Sequence, residues 1–286
     1  MSRFDVTAAA ISYLFVPASR PDRFGKALAS DADAVIIDLE DAVAANDKEA
    51  ALAHLLAALD GAPGNGLDRP VHVRINAADS QWFERDLAAL TGLSEVARGS
   101  LSGVLLPKAE RASDVARVVA ALGGADSGAE VIALIESAVG VAASGEIAGE
   151  PGLTRFAVGA ADLSFDLDVE IVSSTVDWVY ARLVVESRLA GLAAPIASPP
   201  FEIKDLDVVE REAVRLRGLG ATAQLSIHPA QIPAIHAGFL PSAERVAWAR
   251  RVMAAAEARD GAGQVDGQMV DKPVRDRAAR IIAQAR

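Results

Sequence analysis

Two carboxylates follow closely on strand-like apolar runs: Glu136 after residues 131–135 (VIALI) and Asp162 after 155–158 (RFAV). A pair of carboxylates that leaves positions open for water and substrate oxygens suits Mg2+, with Mn2+ as a substitute, because Mg2+ keeps much of its octahedron unclaimed by protein. The competing reading makes both of them solvated loop carboxylates or partners of helix termini. Arg74 stands on a run otherwise filled by Val71, Val73 and Ile75. There its planar fork predicts a bidentate grip on a carboxylate. An ion pair with Glu40 or Asp41 competes with that role, and the two can coexist.

The run Asp38-Leu39-Glu40-Asp41 allows two readings. Glu40 and Asp41 either open the next helix, whose amino end favours carboxylates, or reach a metal through water. Lys108, in LLPK, is read as a residue for a substrate anion or an ion pair. A Schiff-base role would want a desolvated lysine without acidic neighbours. His228, in SIHP, fits a packed strand-end histidine better than a catalyst, and His54, His72 and His236 read as structural or exposed. Trp82, Trp178 and Trp248 fall on helical stretches and read as packing residues. So many carboxylates facing one mouth would repel each other unless a cation sat among them.

Short apolar runs alternating with alanine-rich helical stretches must position these groups. The runs lie at 12–16, 34–39, 71–75, 103–106, 131–135, 155–158, 194–196 and 225–227. Eight strands in strict alternation with helices imply parallel pairing with right-handed crossovers, and the count fits a closed (β/α)8 TIM barrel better than an open sheet. No G-x-G-x-x-G turn follows the first run, as an open dinucleotide-binding sheet would usually show. In such a barrel the working residues gather at the carboxyl ends of the strands. The barrel with a flanking helix is assigned to residues 1–258. Residues 259–286 form a glycine-rich connector and a last helix, a candidate lid or swapped arm. The loops at 61–70 and 123–128 read as ordinary surface turns.

Bulk composition narrows the partners. With 51% hydrophobic and 23% charged residues the chain can bury a large core. Its net charge of −11 disfavours nucleic acid and anionic membrane surfaces, so an anionic substrate needs a local basic pocket. The absence of cysteine excludes disulfides and thiolate chemistry and fits a reducing compartment. Without an apolar leader or a spanning run in the sequence, cytoplasmic is the expected location.

A series of motifs then resembles the citrate lyase beta-subunit branch of the HpcH/HpaI aldolase family, whose relatives include malyl-CoA and citramalyl-CoA lyases. The carriers are LFVPASRPDRFGKA (14–27), DAVIIDLEDAV (33–43), VRIN (73–76), LPKAE (106–110) and ALIESAVGV (133–141). GAADLSFDLD (159–168), SRLAGLAAPI (187–196), SIHPAQI (226–232) and GQMVDKPV (267–274) follow. Nine in the family's order are specific where each alone is weak. The resemblance implies a TIM barrel assembled as a homotrimer or hexamer. It makes Glu136 and Asp162 the Mg2+ ligands and Arg74 the grip on the substrate's carboxylate. Arg20 corresponds to the residue meeting acyl-CoA phosphates, with Arg23 and Lys26 as helpers. Asp271, in MVDKP, corresponds to an aspartate that enters a neighbouring subunit's site. Three positions depart from the pattern: Ala18 for Gly, Ala197 for the Asp after API, and Gln224 for the Lys before IHP. The last two are expected to remove charge near the mouth.

The implied reaction is carbon–carbon cleavage of a 3-hydroxyacyl-CoA-type thioester such as malyl-, citramalyl- or citryl-CoA into acetyl-CoA and a 2-oxo acid, or the reverse condensation. Arg74 would clamp the carboxylate, while Asp271 or a mouth carboxylate, Asp41 or Glu40, would exchange the proton. Two other readings stay open: a CoA-independent, metal-dependent 2-oxo acid (pyruvate) aldolase, and a non-catalytic subunit of a lyase complex.

Overall fold

The computed structural model describes residues 10–61, 67–257 and 263–285. In chain order the first half runs β1 (Ser12–Pro17), α1 (Phe24–Leu28), β2 (Ala34–Asp38), α2 (Lys48–Leu59), β3 (Val71–Arg74), α3 (Phe83–Thr91), α4 (Glu95–Gly99), β4 (Leu101–Leu106) and α5 (Ala112–Ala121). It continues with β5 (Glu130–Ile135), α6 (Ala138–Ala148), β6 (Arg155–Val158), α7 (Ala160–Asp166), α8 (Ser174–Ala190), β7 (Ala193–Ala197), α9 (Leu206–Gly218), β8 (Ala223–Ser226) and α10 (Ile232–Phe239). Strands β1 to β8 pair in parallel, each with its neighbour in sequence, and β1 pairs with β8 to close the barrel. The expected strands all form, and short α4, α7 and α10 are added to the expected helices.

The period of two in each strand divides the core into two layers. Tyr13, Ala34, Ile36, Leu105, Ile132, Leu134, Ala157, Ile196, Ala223 and Leu225 fill the barrel interior. Residues of opposite parity, such as Val35, Ile37, Val104, Ala133 and Ile135, pack against the helices in the larger cluster. At the floor, Arg155 is buried with its guanidinium donating to the Ala194 carbonyl, Thr222 and the Tyr13 hydroxyl, while His72 pairs with Glu130 at 2.8 Å. The amino-terminal end is thus plugged by polar groups, mostly paired with one another although His72 Nδ1 has no hydrogen-bond partner among the described residues, and the open chemistry is left to the other end.

Beyond the barrel, α11 (Ala243–Glu257), β9 (Gly263–Val265), β10 (Gln268–Val270) and α12 (Lys272–Gln284) share a separate small core. Ala249, Val252, Val270, Ala278 and Ile281 are its buried members, so the sequence boundary at 258/259 falls inside this unit. The connector read as glycine-rich contains an antiparallel hairpin, β9 with β10. Asp266 and Gly267 at its tip both take positive φ, 50° and 79°, and this Asp-Gly pair is a hairpin signal present in the sequence. Residues 62–66 of the loop at 61–70 and residues 261–262 of the connector lie outside the described residues. Trp178, read as a packing residue, is 54% exposed on α8. Among the described residues no helix is long and apolar enough to cross a membrane.

Candidate active site

Strand parity carries three charged groups into the carboxyl end of the barrel. Ala34 and Ile36 face inward, which aims Asp38 the same way at the end of β2. On β3, Val71 and Val73 face the helices and Arg74 faces the mouth. Beyond β5, Glu136 continues the inward positions of Ile132 and Leu134.

Arg74 joins two acidic groups. Its Nε and Nη2 donate to the two oxygens of Asp38 at 2.7 and 2.6 Å, and Nη1 lies 2.9 Å from Glu40. The Phe15 ring lies 4.7 Å beneath the guanidinium. Sequence reading names Glu40 or Asp41 as the competing ion partner, whereas fully buried Asp38 takes the bidentate pair. The signal was an aspartate of inward parity ending a wholly apolar strand. Burial opposes the charge on Arg74, but Asp38 and Glu40 outweigh it and hold the guanidinium's pKa above its usual range.

Glu40 is buried, and burial pushes its carboxyl pKa up against the opposing pull of Arg74 and Lys108. Lys108 Nζ donates to Glu40 at 2.5 Å and lies 3.6 Å from the largely exposed Asp41. Lys108 has φ of 47°, a left-handed conformation that costs a non-glycine residue about 1 kcal/mol. That turn aims its backbone N–H at Glu136, 2.7 Å away. Lys108 is therefore an ion-pair residue of the mouth, one of its two expected roles.

Beneath this loop lies a group not singled out by sequence. Lys48 is buried, and its Nζ donates to the carbonyls of Leu39 and Glu40 at 2.6 and 2.8 Å and to Asn76 Oδ1 at 2.6 Å. Asn76 in turn donates both its backbone and side-chain N–H to buried Asp86. Desolvation lowers the Lys48 pKa. A helix-start lysine ordinarily reads as solvated, so only its burial reveals this role. Lys48→Met would leave the Leu39 carbonyl and Asn76 Oδ1 without a donor, while the Glu40 carbonyl keeps the Val43 N–H. We expect it to cost about 3 kcal/mol of stability, measured as a lowered urea midpoint at unchanged slope.

Glu136 is 4% exposed, and its pKa is pushed up to about 8. Burial is the main cause, followed by the charge of Glu40; Lys108 and its N–H oppose them, and Asp162 adds a further rise. Asp162 sits in the first turn of α7 rather than at the end of β6 and is exposed. Asp166, one turn on, accepts the Ala138 N–H at 2.6 Å, which ties α7 to the start of α6 beside Glu136. At Gly159 a Cβ would stand 2.2 Å from Glu136 Oε2, so only glycine lets that carboxylate lie across the end of β6. A buried carboxylate crowded by two other negative charges, with hard oxygen donors and no sulfur, is a setting that a small divalent cation fits. Among the described residues no group of three or more His, Cys, Asp or Glu is placed to hold a metal ion.

The structure thus brings Glu40, Arg74, Lys108 and Glu136 into direct contact, with Asp41 and Asp162 at the rim. Two expected residues stand apart within one chain. Arg20 pairs with Asp22 at 2.7 Å on an exposed turn, and Asp271 caps α12 by accepting the Val274 N–H. His228, expected to be a packed strand-end histidine, is instead exposed and caps a 3-10 turn, its Nδ1 accepting from the Ala230 N–H at 3.1 Å.

The expectation of lost charge near the mouth is also corrected. Ala197 and Gln224 are register partners across β7 and β8, while Ile196, Ala223 and Leu225 take the inward positions. Both residues therefore face the helix layer, and neither removes charge from the mouth. Opposite charges at these two positions would meet each other; here an uncharged pair replaces both, and Gln224 Nε2 donates to the Ser198 carbonyl at 3.0 Å.

Against known proteins, residues 12–229 match the family model HpcH/HpaI aldolase/citrate lyase. The chain is 36% identical to the citrate lyase subunit beta-like protein of Mycobacterium tuberculosis, over 98% of this chain and 97% of that one. It is 32% identical to the L-malyl-CoA/beta-methylmalyl-CoA lyase of Cereibacter sphaeroides, over 95% and 93%. Among solved structures, the protein CitE from Mycobacterium tuberculosis in complex with magnesium, acetoacetate and coenzyme A superposes with a TM-score of 0.81 at 35% identity, covering 98% of this chain and 99% of that one.

Proposed function

Because the chain belongs to the HpcH/HpaI aldolase/citrate lyase family, we propose that it is a Mg2+-dependent carbon–carbon lyase of 3-hydroxyacyl-CoA-type thioesters. Its products would be acetyl-CoA and a 2-oxo acid, with malyl-, citramalyl- and citryl-CoA as the candidate substrates. The observation that carries the reading is the buried Glu136 carboxylate, crowded by Glu40 and Asp162 in one mouth with Arg74. The relatives named lyases and the relative crystallised with magnesium and coenzyme A support the same class.

Glu136 and Asp162 would hold Mg2+, or Mn2+ in its place. A cation held there supplies Lewis-acid stabilisation of charge on the keto-acid oxygens. Arg74 donates two of its five N–H groups to Asp38 and only ion-pairs with Glu40, which leaves donors to orient the substrate's carboxylate. Cleavage takes the proton from the substrate hydroxyl, converts that carbon to a carbonyl, and leaves the bonding pair on the thioester's α-carbon, which must then be protonated. Asp271 of a neighbouring subunit, or Asp41 or Glu40 of the same mouth, exchanges these protons. Lys108 adds positive charge for the acid, and Arg20, released from Asp22, meets the CoA phosphates.

Such sharing of Asp271 requires an oligomer, which we take to be a homotrimer or hexamer. The exposed apolar Trp178, Val185 and Leu189, which follow one face of α8, support an assembly surface. A cysteine-free chain suits the cytoplasm.

The test is a panel of malyl-, citramalyl- and citryl-CoA, each with Mg2+ and with EDTA, followed by keto-acid formation. We expect Mg2+-dependent turnover of at least one thioester. Cleavage of CoA-free 2-oxo acid aldols instead would make the protein an aldolase. No turnover in any Mg2+ arm would leave it a non-catalytic subunit.

A further inference from the structure

At the far end of the barrel, an open cleft of about 590 Å3 lies between α11 and α12. Arg245 lines one side, and Arg277, Arg280 and Gln284 line the other. The one carboxylate in its wall, Asp276, already accepts from Lys272 at 2.6 Å. No carboxylate among the described residues forms an ion pair with Arg245, Arg277 or Arg280. A fourth guanidinium reaches the same place: Arg217 of α9 donates from Nη2 to Gln284 Oε1 at 3.2 Å and from Nη1 to the Leu240 carbonyl at 3.0 Å. Burial lowers the Arg217 pKa, and repulsion from Arg245 lowers it further. Residues 243–286 carry nine Lys or Arg against six Asp or Glu, in a chain whose net charge is −11. Positive charge is therefore gathered here in excess of the carboxylates.

The cleft is not part of its own chain's lyase mouth. Arg217 stands in the last turn of α9, just before β8 enters the barrel at Ala223, so the cleft lies at the amino-terminal end of the strands. Glu136 and Arg74 lie at the opposite, carboxyl-terminal end. On α12, Arg277 and Arg280 are three residues apart and share a face. The Trp248 ring, 5.7 Å from the Arg277 guanidinium, holds one of the forks.

We propose that this cleft binds a polyphosphate anion. A guanidinium fork fits two oxygens of a phosphate, and several forks around one cleft outnumber what a single carboxylate can engage. A linear phosphate chain offers enough oxygens for all of them. The anion would come either from a nucleoside polyphosphate or from the phosphates of free CoA.

Calorimetric titration of the full chain with pyrophosphate, in EDTA so that no cation occupies the mouth, tests the site. We expect one saturable site per chain that weakens at least tenfold in Arg277→Ala/Arg280→Ala and also in Arg245→Ala, while Arg20→Ala binds as before. Competing arms with ATP and with free CoA identify the source: the physiological class displaces pyrophosphate and loses affinity in the same variants. Lyase activity of the variants at its ordinary level verifies that they fold. Absent binding, binding unaffected by the α12 pair, or binding lost in Arg20→Ala overturns the proposal. So does a lower molecular mass of Arg277→Ala/Arg280→Ala by light scattering, because the cleft is then a contact with a second copy.

Discussion

Glu136→Gln is expected to lower Mg2+-dependent turnover by at least about 1,000-fold and to abolish Mg2+ binding in a direct titration. The amide keeps the volume of the carboxyl group and can still accept the Lys108 N–H, so the loss is one of charge at the cation rather than of shape. The same variant reverses a pH trend. In the metal-free protein the Glu136 carboxyl titrates at about 8, well above the usual carboxylate range. Between that range and pH 8 the folded state keeps a proton that the unfolded chain has released, so metal-free stability falls as pH rises through this window. Ionisation of Glu136 is also what a cation needs, so stabilisation by Mg2+ should grow over the same window and level off above it. Thermal unfolding at pH 6 and pH 8.5, with Mg2+ and with EDTA, reads both effects. Glu136→Gln should be the more stable protein at pH 8.5 in EDTA and should gain nothing from Mg2+. If the variant keeps its response to Mg2+, the cation is held elsewhere.

Substitution of Arg74 should have the second largest effect, and two variants separate its two roles. Arg74→Lys keeps a positive charge but loses the fork, and we expect kcat/KM to fall about 100-fold or more because one ammonium cannot serve Asp38, Glu40 and a substrate carboxylate together. Arg74→Met removes the charge from above Asp38, which is fully buried and retains only the backbone N–H groups of Glu40 and Ala42. Leaving that charge unpaired should cost about 3–5 kcal/mol in chemical denaturation. Adding Asp38→Asn to Arg74→Met should restore most of that stability and none of the activity, since the amide no longer needs a cation while the substrate still lacks its clamp. Equal stability of Arg74→Met and the parent would show that Asp38 does not depend on the guanidinium.

These predictions differ in how visible their residues were beforehand. Arg74 and Glu136 could be read because each breaks or directly follows an apolar run at a position of inward parity. Asp38 and Lys48 were less legible. Asp38 ends a strand like any turn-forming aspartate, and Lys48 begins a helix like any solvated lysine. Their significance lies in partners 36 and 28 residues away, Arg74 and Asn76, which sequence spacing does not specify. The hairpin of β9 and β10 was legible from Asp266-Gly267, yet its glycine content was read only as a connector.

The sequence alone determined the barrel, since a period of two within strands and alternation with helices leaves few ways to bury both faces of eight parallel strands. It also determined which residues could meet at the mouth, because parity and strand order are properties of the chain. Only the tertiary structure decided which of them touch. Closure of the barrel put Ala197 opposite Gln224 on the outer face, gave Arg74 to Asp38, and raised the Glu136 pKa by burial and by the charge of Glu40. Those outcomes depend on distance and desolvation between groups far apart in sequence, and such terms arise only once the chain has excluded water from the space between them.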